Sequence, residues 1–364
     1  MSNSFFPSST ISWYMARMFL VRSFAVLFLL TLVLQTLDLL GESGNVLAYK
    51  GNGSAQIWTY LTLRLPQIIA FLLPFSILLG TLVTLATLNQ NSEVISMKAA
   101  GLSAHQVLAP LIVAAFGVAL VSFAFNDRIV SRASATLDRW EKAGFGPIPK
   151  DRKSLSNVWV RDGDHLFHAG EVTGRGPATR LSDVTIYNRE GGSLIAIIRA
   201  PNAAPKDNGW LLADARRFDV ERGVETALGN VNMAGGVQPD QLTLANVDSD
   251  GLSFLGLWAA IRDLREAGRP TDALEAGLWH KLAGPLSAML MPLLGAVAAF
   301  GLARSGMLFV RAVAGMGLGF AYFVADNFGL AMGNLGAYPP LLAAWGPFFL
   351  FLLIGEAVLV QTEE

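Results

Sequence analysis

The residues that could do chemistry are few, and most stand inside long apolar runs. Of the four histidines, His105, His165, His168 and His280, only two are neighbours. His165 and His168 stand three apart in an alternating run; on a strand that spacing turns them to opposite faces, a poor arrangement for sharing a metal. The chain has no GK[ST] phosphate loop, no GxSxG nucleophile elbow and no HExxH zinc pair. It has no cysteine, which excludes disulfides, a thiol nucleophile and thiolate zinc sites. No catalytic constellation emerges, and the chain is expected to be no enzyme.

The informative polar residues are the costly ones. Asp38 and Gln35 lie three apart near the end of the first apolar run, on one helical face. Asp326 lies deep in the run AYFVADNFGL. A carboxylate at the centre of a membrane costs about 2.5–3.5 kcal/mol on insertion scales, so each needs a partner or a wet cavity. Two readings stand open for both: pairing with a neighbouring helix, or lining a substrate path and its gate. Arg64 shares the second run with Pro66 and Pro74, which can bend a span and free backbone groups. Gly315, Gly317, Gly319 and Gly329 permit close helix approach.

One short polar stretch, LNQNSEVISMKAAG (88–101), interrupts two apolar runs. Asn89, Asn91 and Ser92 are helix-capping types, and Glu93 would sit in the first turn, where a negative charge suits the helix dipole. Lys98 falls near the far end, and Gly101 can close the helix in the left-handed conformation. The stretch reads either as a plain connector or as a docking helix that passes motion from a cytoplasmic partner to the membrane.

The elements that must position these residues follow from the charge distribution. The chain is 52% hydrophobic, too apolar for an ordinary soluble protein. Its net charge of −1 gives no case for nucleic-acid binding. Six runs are expected to span a membrane: residues 13–40, 57–87, 102–125, 279–302, 308–332 and 340–360. A loop rich in Gly, Asn and Ser is expected at 41–54. Six spans put both termini on one side. Arg17, Arg22, Lys98, Arg304 and Arg311 then all fall inside, while the short outer loops hold only Lys50. The positive-inside rule is satisfied, with both termini and the Glu93 stretch cytoplasmic.

Between the third and fourth runs the character changes. Residues 127–143 read as a charged helix prolonging the third span. Short alternating runs follow: NVWVRDG, DHLFHAGEV, DVTIYNREGG, SLIAIIRA, GWLLADARRFDVER and LTLANV, with turn signals at Asp162-Gly163, Gly191-Gly192 and Asn208-Gly209. They argue for an antiparallel sandwich or jellyroll outside the membrane. Residues 253–268 read as a helix leading back. The expected organisation is therefore an α-helical membrane protein with an inserted all-β, jellyroll-like domain. Residues 1–126 hold spans 1–3 with a coupling helix at 89–101, residues 127–275 hold the β domain with flanking helices, and residues 276–364 hold spans 4–6.

This pattern resembles the permease family of the lipopolysaccharide-export ABC transporter, LptF/LptG. The motifs that carry the resemblance are LNQNSEVISMKAAGLSAHQV (88–107), NVWVRDGDHLFHAGEV (157–172), WHKLAGPLSAMLMPLLG (279–295) and ADNFGLAMGNLGAYPPLLAAWGP (325–347). The last, with Asp326, Phe328, Gly329 and Pro339-Pro340, looks more like the G-type than the F-type subunit. The resemblance implies a bacterial inner-membrane subunit that pairs with an F-type permease over a cytoplasmic ATPase dimer. ATP and Mg would be bound there, with no cofactor in this chain. It implies extraction of lipopolysaccharide and its passage, through a single-span periplasmic partner and a periplasmic bridge protein, toward the outer membrane. It places ATPase coupling at Ser92, Glu93, Met97 and Gly101. One departure concerns substrate. The family carries lysines at the outer end of the first span, where lipid phosphates are met; here the stretch is VLQTLDLLGES. Gln35, Asp38, Arg64, Arg128 and Arg132 are the remaining candidates for lipid contact. Rival readings are a permease for another envelope lipid or lipoprotein, and an envelope scaffold that recruits periplasmic proteins through its β domain.

Overall fold

The computed structural model describes residues 7–147, 155–162, 164–174, 178–191, 193–206, 209–234, 249–266, 270–301 and 308–361. Helix α1 (Ser9–Ala48) begins where the Ser8 hydroxyl accepts from the Ile11 N–H. Met15, Phe19, Ser23, Leu27 and Thr31 are buried at a spacing of four, so one stripe of α1 packs and the rest faces outward. The helix does not stop at residue 40. It runs through the expected Gly/Asn/Ser loop to Ala48, because Asn45 bonds Glu42 along the helix (2.9 Å) and Val46 is wholly buried. The Asn52 side chain then closes the end on the Val46 carbonyl (2.8 Å).

Helix α2 (Ser54–Gln90) continues through both Pro66 and Pro74. At its crossing with α1, a Cβ on Gly80 would stand 2.1 Å from Ser23 Oγ, so the two backbones touch there. Helix α3 (Glu93–Ala99) follows, then α4 (Ala104–Phe125), opened by a capping box between Ser103 and Gln106. A π-helical turn (Asn126–Val130) joins α4 to α5 (Ser131–Lys142). The expected charged continuation is thus present, but with a turn that the sequence did not signal.

After the β region, α6 (Phe254–Glu266) leads back to α7 (Asp272–Gly301), α8 (Leu308–Asn334) and α9 (Pro340–Gln361). Among the described residues, five helical stretches are long and apolar enough to cross a membrane: Ser9–Ala48, Ser54–Gln90, Ala104–Lys142, Val313–Asn334 and Pro340–Gln361. Helix α7, the expected fourth span, is not among them. It packs against α2, α4, α8 and α9, and Ala283, Ala288, Leu294 and Ala296 are wholly buried.

The chain forms two compact units. One holds the helices from α1 to the π turn with the start of α5, most of α6, and α7 to α9. The other holds a six-stranded antiparallel sheet: β1 (Leu155–Asp162), β2 (His165–Thr173), β3 (Arg180–Glu190), β4 (Ser193–Lys206), β5 (Gly209–Asp219) and β6 (Val224–Ala234). Each strand pairs with the next in sequence, so the described strands form a single meander instead of the two layers of a sandwich. Short connections between consecutive strands explain that order. Val158, Phe167, Ala169, Val184, Ile186, Ile198, Ala200, Trp210 and Leu212 make its core. The sequence reading missed β6, whose residues are almost all exposed and lack an apolar alternation. The expected strand LTLANV (242–247) lies outside the described residues.

Candidate functional site

Helix α3 is positioned by what it buries. Val94 is 4% exposed, and Met97, one turn on, packs against the same helical core. The opposite face, with Ser92, Ile95, Ser96 and Lys98, is exposed, and Ile95 is 65% exposed. Glu93 lies between these faces. One of its carboxylate oxygens, Oε1, accepts from the Tyr14 hydroxyl at 3.4 Å and from Asn91 Nδ2 at 3.2 Å. Tyr14 belongs to α1, so the acid is tethered to another membrane helix as well as to its own turn.

The expected N-terminal cap is corrected. Asn89 belongs to the end of α2, and Asn91 closes that helix with its backbone N–H on the Thr87 carbonyl. Ser92 takes a left-handed conformation, φ 59°, and makes no side-chain cap bond. With only two residues between α2 and α3, these polar residues serve the tight reversal, and none is left extended to cap. The expected close at the other end is present. Gly101 has φ +88°, its N–H bonds the Lys98 carbonyl, and the Leu102 N–H bonds the Met97 carbonyl, the Schellman pattern.

The same end of the helical unit carries two ties that sequence reasoning missed. Arg22 Nη1 donates to the Val83 carbonyl at 3.1 Å, joining α1 to α2. His105 Nε2 lies 3.1 Å from Glu356 Oε2, joining the first turn of α4 to the last turns of α9.

A second polar cluster joins α1, α2 and α5. Arg64 Nε and Nη2 meet Asp38 Oδ1 at 3.0 and 2.9 Å, and the Tyr60 hydroxyl donates to Asp38 Oδ2 at 2.7 Å. Arg64 Nη1 donates to Gln67 Oε1 at 2.6 Å, and Gln67 Nε2 donates to Ser134 Oγ at 2.9 Å. Tyr60 and Arg64 are four apart on α2, so one face of that helix supplies both donors. Asp38 is thereby paired at both oxygens, its side chain only 14% exposed. Arg64 is committed to Asp38 and Gln67, which reduces what it could offer an anion. Arg128 and Arg132 are exposed and make no ion pair among the described residues. The structure does not bring them into the Asp38 cluster. Gln35 lies one turn inside Asp38, with both amide atoms buried and no hydrogen-bond partner among the described residues.

Asp326 has a partner on the neighbouring helix. Its Oδ2 lies 2.9 Å from His280 Nε2 on α7, while its Oδ1 is buried with no hydrogen-bond partner among the described residues. The glycines of α8 differ in use. A Cβ on Gly319 would meet Leu78, and one on Gly329 would stand 2.7 Å from the Ala343 carbonyl oxygen, whereas Gly317 has open space. His165 and His168 are apart, one accepting from the Arg189 N–H and the other packed at a tilt against Trp159. No group of three or more His, Cys, Asp or Glu suited to a metal occurs among the described residues.

The family profile of the lipopolysaccharide export system permease LptF/LptG matches residues 13–361, and so takes in α3, the Asp38 cluster, the sheet and the His280–Asp326 pair. The chain belongs to the LptF/LptG family. Among curated proteins, it is 25% identical over 311 residues to the lipopolysaccharide export system permease protein LptG of Escherichia coli K12, covering 83% of this chain and 84% of that protein. It is 26% identical over 313 residues to the protein of the same name from Haemophilus influenzae, covering 84% and 86%. As an LptF/LptG member, the chain is a membrane permease of lipopolysaccharide export, with an antiparallel sheet inserted between its helices.

Proposed function

We propose that this chain is the G-type permease subunit of an ABC transporter that extracts lipopolysaccharide from the inner membrane and passes it to a periplasmic bridge. The observation that carries the reading is α3. It is a short helix anchored by Val94 and Met97, with Ile95 exposed and Glu93 half-buried beside Tyr14 of α1. A carboxylate so placed can make a charge-assisted bond to a basic residue of an ATPase, and the tether to Tyr14 passes displacement of α3 to the first span. Ser92 and Gly101 set the two turns that fix the angle of the helix. ATP and Mg belong to the ATPase dimer, and this chain contributes no catalytic group.

In this reading α7 is a sixth span, enclosed by its neighbours, and the polar residues near its start are its outer end. Both termini are cytoplasmic, and the sheet is the periplasmic domain. There it would meet the single-span partner and the bridge protein. An F-type permease completes the membrane part. Lipid phosphates are met by Arg128 and Arg132 on the far side of the third span, because Arg64 is already engaged by Asp38.

Purification of the complex from native membranes, with mass spectrometry of bound proteins and lipids, tests both ends. Glu93→Ala is expected to lower the co-purified ATPase, or ATPase activity coupled to export, about tenfold, the equivalent of a lost charge-assisted bond of about 1.4 kcal/mol. Arg128→Ala with Arg132→Ala is expected to lower bound lipopolysaccharide and leave the ATPase in place. Indifference to Glu93→Ala would favour a scaffold.

A further inference from the structure

Helix α6 carries an apolar face that none of the described contacts covers. Leu257 and Ile261 are buried, at 0% and 4%. Leu255 and Trp258, three apart and turned the other way, are 70% and 59% exposed. Exposed Leu and Trp on a connecting helix outside the spans need an explanation, and the depth at which this helix starts supplies one.

The start of α6 is tied to the end of the third span. Residues 106–125 carry no charged side chain, and the first acid beyond them is Asp127 in the π-helical turn. The Asp127 carboxylate accepts from the backbone N–H of Phe254, the first residue of α6. The Phe254 ring meets Phe123, on the apolar side of that boundary, with centroids 6.2 Å apart. Ser253 completes the cap by accepting from the Gly256 N–H at 3.2 Å. A carboxylate beside the first N–H groups of a helix suits its positive end. The first turn of α6 is thus fixed at the height where α4 leaves the apolar layer, between Phe123 below and Asp127 above.

We propose that α6 is an interfacial helix, whose Leu255 and Trp258 enter the boundary between acyl chains and headgroups of the outer leaflet. Tryptophan prefers that boundary, with its ring apolar and its indole N–H able to reach hydrated groups. Amphipathic helices lying in the interface bury the apolar face by a few ångströms in this way. The exposed Arg128, next to Asp127 in the π turn, stands at the same level and suits lipid phosphates. The occupant of this face is therefore the lipid surface, not a second protein. Because the Asp127 bond makes α6 an extension of the third span, lipid drawn up beside that span passes Leu255 and Trp258 before it leaves the membrane. This inference rests on the membrane-spanning reading of the helical unit, α4 and α9 included, and its test separates the two.

The chain has no cysteine, so single cysteines carry nitroxide labels without background. Leu255→Cys, Trp258→Cys, Leu353→Cys on the exposed side of α9 and Arg222→Cys in an exposed turn of the β region are labelled in the full chain. Each is then reconstituted, in its native complex, into lipid nanodiscs. Collision with oxygen, which concentrates in lipid, is compared with collision with a water-soluble nickel chelate. Labels at 255 and 258 are expected to favour oxygen, as at 353, with the opposite ratio at 222. A water-like ratio at both 255 and 258 overturns the proposal, and so does shielding from both reagents, which would mean a protein covers the face. A water-like ratio at 353 would instead overturn the membrane reading itself.

Discussion

Asp38 shows how a charge is tolerated at the edge of a span. Two guanidinium nitrogens share one carboxylate oxygen and a phenol holds the other, so both oxygens of the acid are bonded. Removing one partner leaves the other uncompensated. Such a loss costs about 3–5 kcal/mol when fully buried, and less here because Arg64 is 36% exposed. Asp38→Asn is expected to lower stability by about 2 kcal/mol, and Arg64→Gln by a similar amount. The double variant is expected to cost less than the sum of the two, with a coupling of about 1–3 kcal/mol in denaturation of the purified chain. Strict additivity would mean the pair contributes nothing. The acid was legible in the sequence because a charge inside an apolar run is conspicuous. Its partners were not, since Arg64 is 26 residues away across a reversal, and Tyr14 meets Glu93 from 79 residues away. Nothing in local spacing encodes such pairings.

Among the elements, glycine content alone did not say which helices approach closely. Gly317 and Gly329 look alike in sequence, yet one faces open space and the other faces the backbone of α9. Gly329→Val is therefore expected to destabilise by about 1–3 kcal/mol through overpacking, visible as a lower melting temperature. Gly317→Ala is expected to be neutral or mildly stabilising, since it removes the entropic cost of glycine within a helix. Equal effects at both positions would remove the argument for an α8–α9 seam at Gly329. The apolar runs marked the helices well, because a span must satisfy every backbone group internally. Their ends were less legible. The Gly and polar residues at 41–45 continue α1, since a helix already nucleated extends cheaply through residues that would not start one. The strand β6 escaped for the opposite reason: its exposure removes the alternation that marks a strand.

For the whole molecule, the distribution of Lys and Arg predicts sidedness that the chain itself can report. Lys50 and Ser92 are both exposed, one after α1 and one before α3. With Lys50→Cys, a membrane-impermeant maleimide is expected to label intact spheroplasts. With Ser92→Cys, labelling is expected only after permeabilisation. The reverse pattern would invert the topology and place α3 out of reach of any cytoplasmic ATPase. Two apolar blocks around a charged middle were readable from composition. The division into a helical unit and a sheet unit follows from that contrast, because strands with ordinary charge content cannot lie among helices facing lipid.

The π-helical turn at Asn126–Val130 sets the angular phase of the start of α5. A π turn holds about one residue more than an α turn, so α5 is clocked by about 100° from the heading α4 would have given it. That offset keeps Ser134 within reach of Gln67, and it does so at the point where Asp127 holds α6. Loss of a single residue here would restore regular winding, swing Ser134 away and move the anchor of α6 together. This short segment is a vernier between α4 and α5, set by its length in residues, while its Asp127 carboxylate holds α6.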